Sequence, residues 1–548
     1  MAVSVPLSRY LMSVSQFILT GLWILYAIDY ERIIATKTWL KPMTVLTETA
    51  LSIKRQVVRF WHCKPAVVFV SFYLLHVAGL TYSSDIESAL KDLRIKLPLL
   101  SIPVLLTAMP PLSRKQIYQI LILHALAVFG GTLSSLYFFF FKDFTDFREL
   151  FPWFSHIRFS LNLVLTVFSL SYVLWTARYP EKKTFRIWLW LITLWNLVFI
   201  FILKSFTGMV LTVLLATALL IYSGIKSRNI PIKLGMLSLV LIIPGWFGWQ
   251  FHESWNSFHV APKVDFETLD DTTALGHPYE HDTSKYKIEE GRWIGLYICR
   301  QELEQAWNQR SDLDFFGSDR RNQPLQATLI RYLNAMNLRK DFKGVASLSD
   351  QDIRNIENGI ANKRYARLFD LRSRIDQLVL GWITYQRKGD PNRNSTIQRL
   401  AYWKASLHII AKHPVFGVGT GDSGQAFLEY YEHSNTRLKK QFQHRSHNQF
   451  LFTSITLGLV GLGWMLMAFL WPALRRKAFR QYLFVIYFAI ATFSMLAENT
   501  LEPQAGVTFI AFFYGIYIFG MRPEKKTIHP SQKPARRRNN LRKPQKKG

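Results

Sequence analysis

An all-α polytopic membrane protein with 11–12 transmembrane helices is predicted by three features of this 548-residue sequence. Apolar runs recur along it, and a span needs roughly 20 mostly apolar residues. Basic residues gather in alternate gaps between those runs. A single polar insert, at about 251–446, interrupts the series and carries a helical rather than an alternating apolar pattern.

Composition agrees with the mixture. Hydrophobic residues make up 49% and aromatics 15%, yet the mean hydropathy is only +0.08, because the insert and a basic tail dilute the apolar runs. The runs lie near 11–29, 65–82, 97–109, 116–141, 157–177, 186–203, 205–224, 231–250, 447–471, 480–497 and 504–521, the third being short and proline-flanked. Eleven spans put the N-terminus outside, and a twelfth within residues 1–60 would put it inside. The first run lacks a basic leader and a small-residue cleavage site, so no cleaved signal is expected. Two cysteines, Cys63 and Cys299, build no disulfide framework.

The formal charge of +30 is concentrated. Clusters at 32–64, Arg114-Lys115, 178–186, 226–233 and Arg475-Arg476-Lys477 fall in every second gap, with the tail on the same side. That is the positive-inside pattern, which sets orientation and gives no ground for nucleic-acid binding. It places the insert outside. The expected organisation is residues 1–250 as N-terminal membrane helices, 251–446 as an outer loop domain, 447–521 as C-terminal membrane helices and 522–548 as a disordered basic tail against anionic headgroups. Inside the insert, Leu329, Ile330, Tyr332, Leu333 and Met336 repeat with helical period, Ser349 before Ile353 reads as a helix start, and Asp370–Leu380 as a further helix.

Cations on the outer side stand out against this rule. Arg94 and Lys96 precede the 97–109 run, Arg158 opens the 157–177 run, Lys204 sits between two runs, and Arg399 belongs to the last helix before an outer turn. Each alone reads as a snorkelling side chain or a partner of Asp85, Glu87 or Asp92. Together they outnumber the acids available in the apolar runs, and charge beside hydrocarbon marks a substrate site or a pair. Arginine grips phosphate with a bidentate fork. A lipid pyrophosphate with its tail in the bilayer fits such a cluster.

His447 stands where the outer loop enters the membrane. It reads either as a polar helix cap or as a base that takes a proton from an attacking hydroxyl. His433, His444 and His447 match no zinc spacing, so no metal and no cofactor are expected. Gly417, Gly419 and Gly421 lie in a turn without the strand-to-helix setting of a dinucleotide fingerprint, leaving backbone freedom or close approach of a ligand as their use. Tyr430-Tyr431 reads either as a sugar-stacking pair or as loop core.

Three stretches carry a family resemblance: Arg399-Leu400…Trp403; His413-Pro414…Gly417…Gly419…Gly421; and His447-Asn448…Leu451 before a Gly-rich span. They resemble the O-antigen ligase and polymerase family over about 65 residues, and the membrane layout extends the likeness. The insert and the closing Glu498-Asn499-Thr500-Leu501-Glu502 resemble members from Bacteroidetes-type bacteria. The resemblance implies a metal-independent, inverting glycosyltransferase of the C-type membrane kind in the bacterial inner membrane, its site facing the periplasm. Its partners would be an undecaprenyl-pyrophosphate-linked glycan, a lipid A core or other hydroxyl acceptor, and membrane lipid. It places the catalytic roles on His447 and Arg399, with pyrophosphate held by Arg158, Lys204 and Arg94 or Lys96. Trp403, the three glycines and Asn448 are expected at the loop and acceptor side. Relatives often carry an arginine in a Ser-Arg-x-Gly-like motif where this chain has Phe206 after Lys204-Ser205. Repeat-unit polymerisation and transfer to protein hydroxyls share the same residues. A lipid-linked sugar transporter is the reading from another class; it calls for an internal repeat, which the sequence does not display.

Overall fold

The computed structural model describes residues 1–28, 42–141, 155–203, 205–283, 288–367, 371–392 and 395–521. Lys204 and the basic tail at 522–548 lie outside the described residues. Among the described residues eight helices are long and apolar enough to cross a membrane: Arg9–Ala27, Lys64–Tyr82, Arg114–Phe141, His156–Trp175, Lys183–Ile202, Phe206–Lys226, Ile230–His259 and Gln449–Arg475. Tyr482–Ala497 and Gln504–Gly520 are apolar but shorter. The run at 97–109 forms an 11-residue helix, Pro98–Ala108, which directly continues Ile86–Lys96. Eleven apolar runs therefore correspond to eight long spans and three shorter helices packed among them.

The centre is His156–Trp175, buried without a break from Phe159 to Leu170. Such an all-round apolar helix has no solvent face and belongs inside a bundle. Aromatic packing fills the neighbouring layer. Phe69 stacks on Tyr514 with centroids 4.6 Å apart, and the Tyr514 hydroxyl donates to the Phe469 carbonyl at 2.7 Å. In a lipid setting a hydroxyl needs such a partner, because hydrocarbon offers none.

The two ends of the bundle differ as the charge pattern predicts. At one end Leu112 bridges to Met521, and Arg476 donates to the Cys63 sulfur at 3.4 Å, so the basic gaps meet. At the other end Ser84 and Asp85 donate backbone N–H bonds to the Asp422 carboxylate, both at 2.8 Å, and Ser205 donates to Ser160 at 2.9 Å.

The polar insert sits at this second end and is a folded unit. Leu303, Trp307, Phe315, Leu329, Tyr332, Leu333, Ile353 and Ile356 are buried together. Ser349 and Asp352 form a reciprocal capping box at the start of Asp350–Glu357. The insert is fastened by the Ile230–His259 helix. Its 30 residues make about 45 Å, longer than the roughly 30 Å hydrocarbon layer. The protruding turn packs Phe258 on Ile375, Val379 and Ile383 of the Leu371–Lys388 helix. Arg372 pairs with Glu253 at 2.6 Å, and Ser254 donates to Asp376 at 2.6 Å.

Candidate active site

Two local structures set the site. The first is a broken helix. Gln449–Arg475 is interrupted at Gly458, whose φ is +66°. The glycine turn at 413–421 docks on that break: Val418 N–H donates to the Ile455 carbonyl at 2.8 Å, Gly419 N–H to Thr456 at 2.9 Å, and Leu459 N–H to Pro414 at 2.8 Å. The turn's backbone thus replaces the hydrogen bonds the helix forfeits. A Cβ on Gly417 would come within 2.4 Å of the Ile455 carbonyl, and one on Gly421 within 2.0 Å of the Asp85 carbonyl. The expectation that Gly417, Gly419 and Gly421 border an acceptor is corrected: close approach is needed, but to the protein's own backbone.

The second is the turn before that helix. Asn448 caps it, accepting from Phe450 N–H at 3.0 Å and Leu451 N–H at 3.1 Å, while its own N–H donates to Asn499 Oδ1 at 2.9 Å. Ser446 Oγ donates to the same oxygen at 2.8 Å. Asn448 is therefore an anchor and not an acceptor contact, and the capping role belongs to it and not to His447. Held between these anchors, His447 has φ +47°, a left-handed conformation that costs a non-glycine residue of order 1–3 kcal/mol and persists only where surroundings enforce it.

This posture delivers the imidazole to Glu498. His447 Nδ1 lies 2.9 Å from Glu498 Oε2, and Arg399 Nη2 donates to Glu498 Oε1 at 2.7 Å. One carboxylate thus bridges the two residues expected to be catalytic. Burial pushes the Glu498 carboxyl up, but the His447 hydrogen bond and the charges of His447, Arg399 and Arg158 pull it down further, and it ends below the usual carboxylate range. An ionised Glu498 makes Nδ1 the protonated nitrogen and leaves Nε2 as the acceptor. Tyr402 stacks on the His447 ring at 5.4 Å and 25°. His444 stands edge-on at 6.1 Å, and burial followed by the His447 charge lowers its affinity for a proton.

Arg399, Tyr402, His444, His447 and Glu498 line a cavity of about 2130 Å³ between the membrane helices and the insert. Phe139, Phe140, Phe141, Ile157 and Phe206 line its membrane side.

The other predicted residues divide. Arg158 faces the same carboxylate through space, with its Nε buried and without a hydrogen-bond partner, and Arg9 of the first helix adds a charge beside it. Arg94 is exposed and does not line the cavity. Lys96 is a correction: it is 1% exposed and paired with Asp92 and, at 3.0 Å, with Glu502. Its charge is already spent inside the fold, because a buried cation requires paired acids. Trp403 also turns away from the cavity; its helix neighbour Tyr402 takes that wall. Tyr431 is loop core, 5% exposed, its hydroxyl donating to the His444 carbonyl at 2.8 Å. Among the described residues no group of three or more His, Cys, Asp or Glu side chains is arranged to hold a metal ion.

Sequence reasoning missed Glu498 and Tyr402 as site members. The signal for Glu498 was an acid between the last two apolar runs on the side that carries surplus cations. The family model described as O-antigen ligase (Wzy_C) matches residues 358–466, a stretch that holds both Arg399 and His447. No curated protein matches the chain.

Proposed function

We propose that this polytopic membrane protein, whose residues 358–466 match the O-antigen ligase family model, is a glycosyltransferase that moves a glycan from undecaprenyl pyrophosphate to an acceptor hydroxyl. The acceptor is a lipid A core or a similar surface, and the reaction takes place on the periplasmic face of the bacterial inner membrane. The observation that supports this reading best is the Arg399–Glu498–His447 bridge in the wall of a cavity flanked by membrane helices.

In the reaction, His447 Nε2 takes the proton of the acceptor hydroxyl as its oxygen bonds to the anomeric carbon. Glu498 keeps Nδ1–H in place and stabilises the imidazolium that forms. The bond from that carbon to the diphosphate oxygen breaks, and its electron pair leaves with the diphosphate. Arg399 and Arg158 offset the developing negative charge, the kind of electrostatic contribution that is often the largest in such sites. A single in-line displacement inverts the anomeric centre. No step calls on a metal ion.

The test is a disruption strain complemented with wild type, Arg399→Ala or His447→Ala, with surface glycans and undecaprenyl-linked glycans analysed together. Each variant is expected to lose mature glycan at normal protein level and to accumulate full-length lipid-linked chains. Accumulation of single repeat units instead would assign polymerisation. Wild-type transfer by either variant would end the assignment of that residue.

A further inference from the structure

The cavity lined by His447 and Glu498 also reaches the insert, where its wall changes character. Asn322, Gln323, Gln351, Asn358 and Gln377 line it there, with Arg321 at their edge. Carboxamides stand there beside Arg331 and Arg387, and Arg331 is already paired with Glu289 at 2.7 Å.

This wall is built, not incidental. Asp319, 3% exposed, accepts backbone N–H bonds from Arg321 at 2.9 Å and Gln323 at 3.0 Å and the Thr328 hydroxyl at 2.7 Å. That grip holds Asn322 at φ +58°. A second loop is clamped to the first: Arg320 N–H donates to the Glu357 carbonyl at 2.8 Å, and Arg320 Nη1 to Asn358 Oδ1 at 3.3 Å. Gly359, at φ +69°, sits under the aliphatic stem of Arg321, where a Cβ would fall 2.9 Å from Cδ. Gln377 comes from the Leu371–Lys388 helix, which the membrane helix Ile230–His259 fixes in place. Side chains held this way lose little freedom on binding.

We propose that this amide wall is a saccharide subsite, engaging sugar units several residues away from the bond that reacts. The inference rests on the glycosyl-transfer reading of the His447 end, and it adds where the chain of sugars runs. The Asn322 and Gln323 carboxamides offer donors and acceptors without net charge, the complement of neighbouring hydroxyls on a pyranose. An alkyl tail would not desolvate such a polar wall. At about 2130 Å³ the cavity is more than twice the roughly 1,000 Å³ upper size of an ordinary small-molecule pocket, so it has room for an extended glycan. That glycan belongs either to the donor or to the acceptor; the chemistry is shared.

The test is binding of two fluorescently labelled probes to the full chain in nanodiscs. One is the glycan released by mild acid from the polyprenyl-linked pool, the other the delipidated core oligosaccharide of the same cells. Wild type is expected to bind one of them. Asn322→Gly and Gln323→Ala should each weaken it by about tenfold, the size of a lost hydrogen-bonded amide. Arg399→Ala should bind as wild type does while failing to transfer. Binding of the first probe assigns the wall to the donor, and of the second to the acceptor. Binding of neither, or equal binding by wild type and both amide variants, overturns the subsite. Glycan binding by a chain that transfers nothing would overturn the catalytic reading and leave the subsite standing.

Discussion

His447 Nδ1 and Glu498 Oε2 stand 2.9 Å apart, although 51 residues separate them. The contact fixes which imidazole nitrogen carries the proton. Glu498→Gln keeps the shape but presents an amide N–H or a neutral oxygen to Nδ1, so the productive tautomer is no longer enforced. Turnover should fall by roughly 10²–10⁴-fold, the usual weight of acid–base assistance. Protein level should stay normal. Transfer measured on purified protein decides it, and a parental rate in Glu498→Gln would remove the carboxylate from the mechanism.

Asp376, within the insert, gives a pH prediction. Burial raises its carboxyl to about 6, with the nearby Glu290 adding to the rise and the Ser254 hydroxyl, Arg372 and Arg364 opposing it. The folded state therefore favours the protonated form. The unfolded chain releases that proton near pH 4, so the stability contribution is complete at low pH and declines as pH rises from there through 6. Above pH 7 the loss is about 3 kcal/mol. Asp376→Asn is uncharged throughout and retains an acceptor for Ser254. In hydrogen exchange on the full chain, its Leu371–Lys388 helix should be better protected than wild type at pH 7.5 and equal to it at pH 4. Equal protection at both values would refute the buried-acid account.

The apolar runs were legible because bilayer length and the period of a helix act locally. Run 231–250 was placed correctly but ended too early, since the nine further residues of Ile230–His259 pack against a segment over a hundred positions away. The same divide holds at the site. Arg399 and His447 announced themselves by sitting on the side where cations are unexpected. Glu498 did not, because its partners are long-range and its spacing from them carries no period. Lys96 looked like a surplus cation for the same reason: Glu502, its acid, is 406 positions downstream. Glycine spacing indicated close approach but could not say that the approaching group was the helix broken at Gly458.

The reassignment of Lys96 has its own signature. Removing a buried cation leaves Asp92 and Glu502 facing each other without compensation, a loss of about 3–5 kcal/mol in comparable buried pairs. Lys96→Met should therefore accumulate poorly in the membrane, while the protein that does fold keeps the wild-type KM for the proposed lipid-linked donor. Adding Glu502→Gln should restore much of the level by removing one stranded charge. A well-folded Lys96→Met with a raised KM would return this residue to the pyrophosphate site.

Gly458 and Gly463 lie five residues apart in one helix and predict opposite outcomes. A Cβ at Gly458 would fall 2.0 Å from the Val415 carbonyl oxygen, and the φ of +66° already disfavours any L side chain. The carbonyl cannot yield, because it accepts the Val460 N–H at 3.3 Å across the break. Gly458→Ala should push the 413–421 turn off the helix, unpairing the Val418 and Gly419 N–H bonds at a cost of several kcal/mol. Since the same helix begins at the Asn448 cap, the His447 ring would move with it, and transfer should fall together with thermal stability. A Cβ at Gly463 meets nothing within 4 Å. Gly463→Ala should be neutral in both measurements, or stabilising by up to about 1 kcal/mol through helix propensity. Comparable losses in the two variants would mean that the glycines matter for helix packing in general and not for the docked turn.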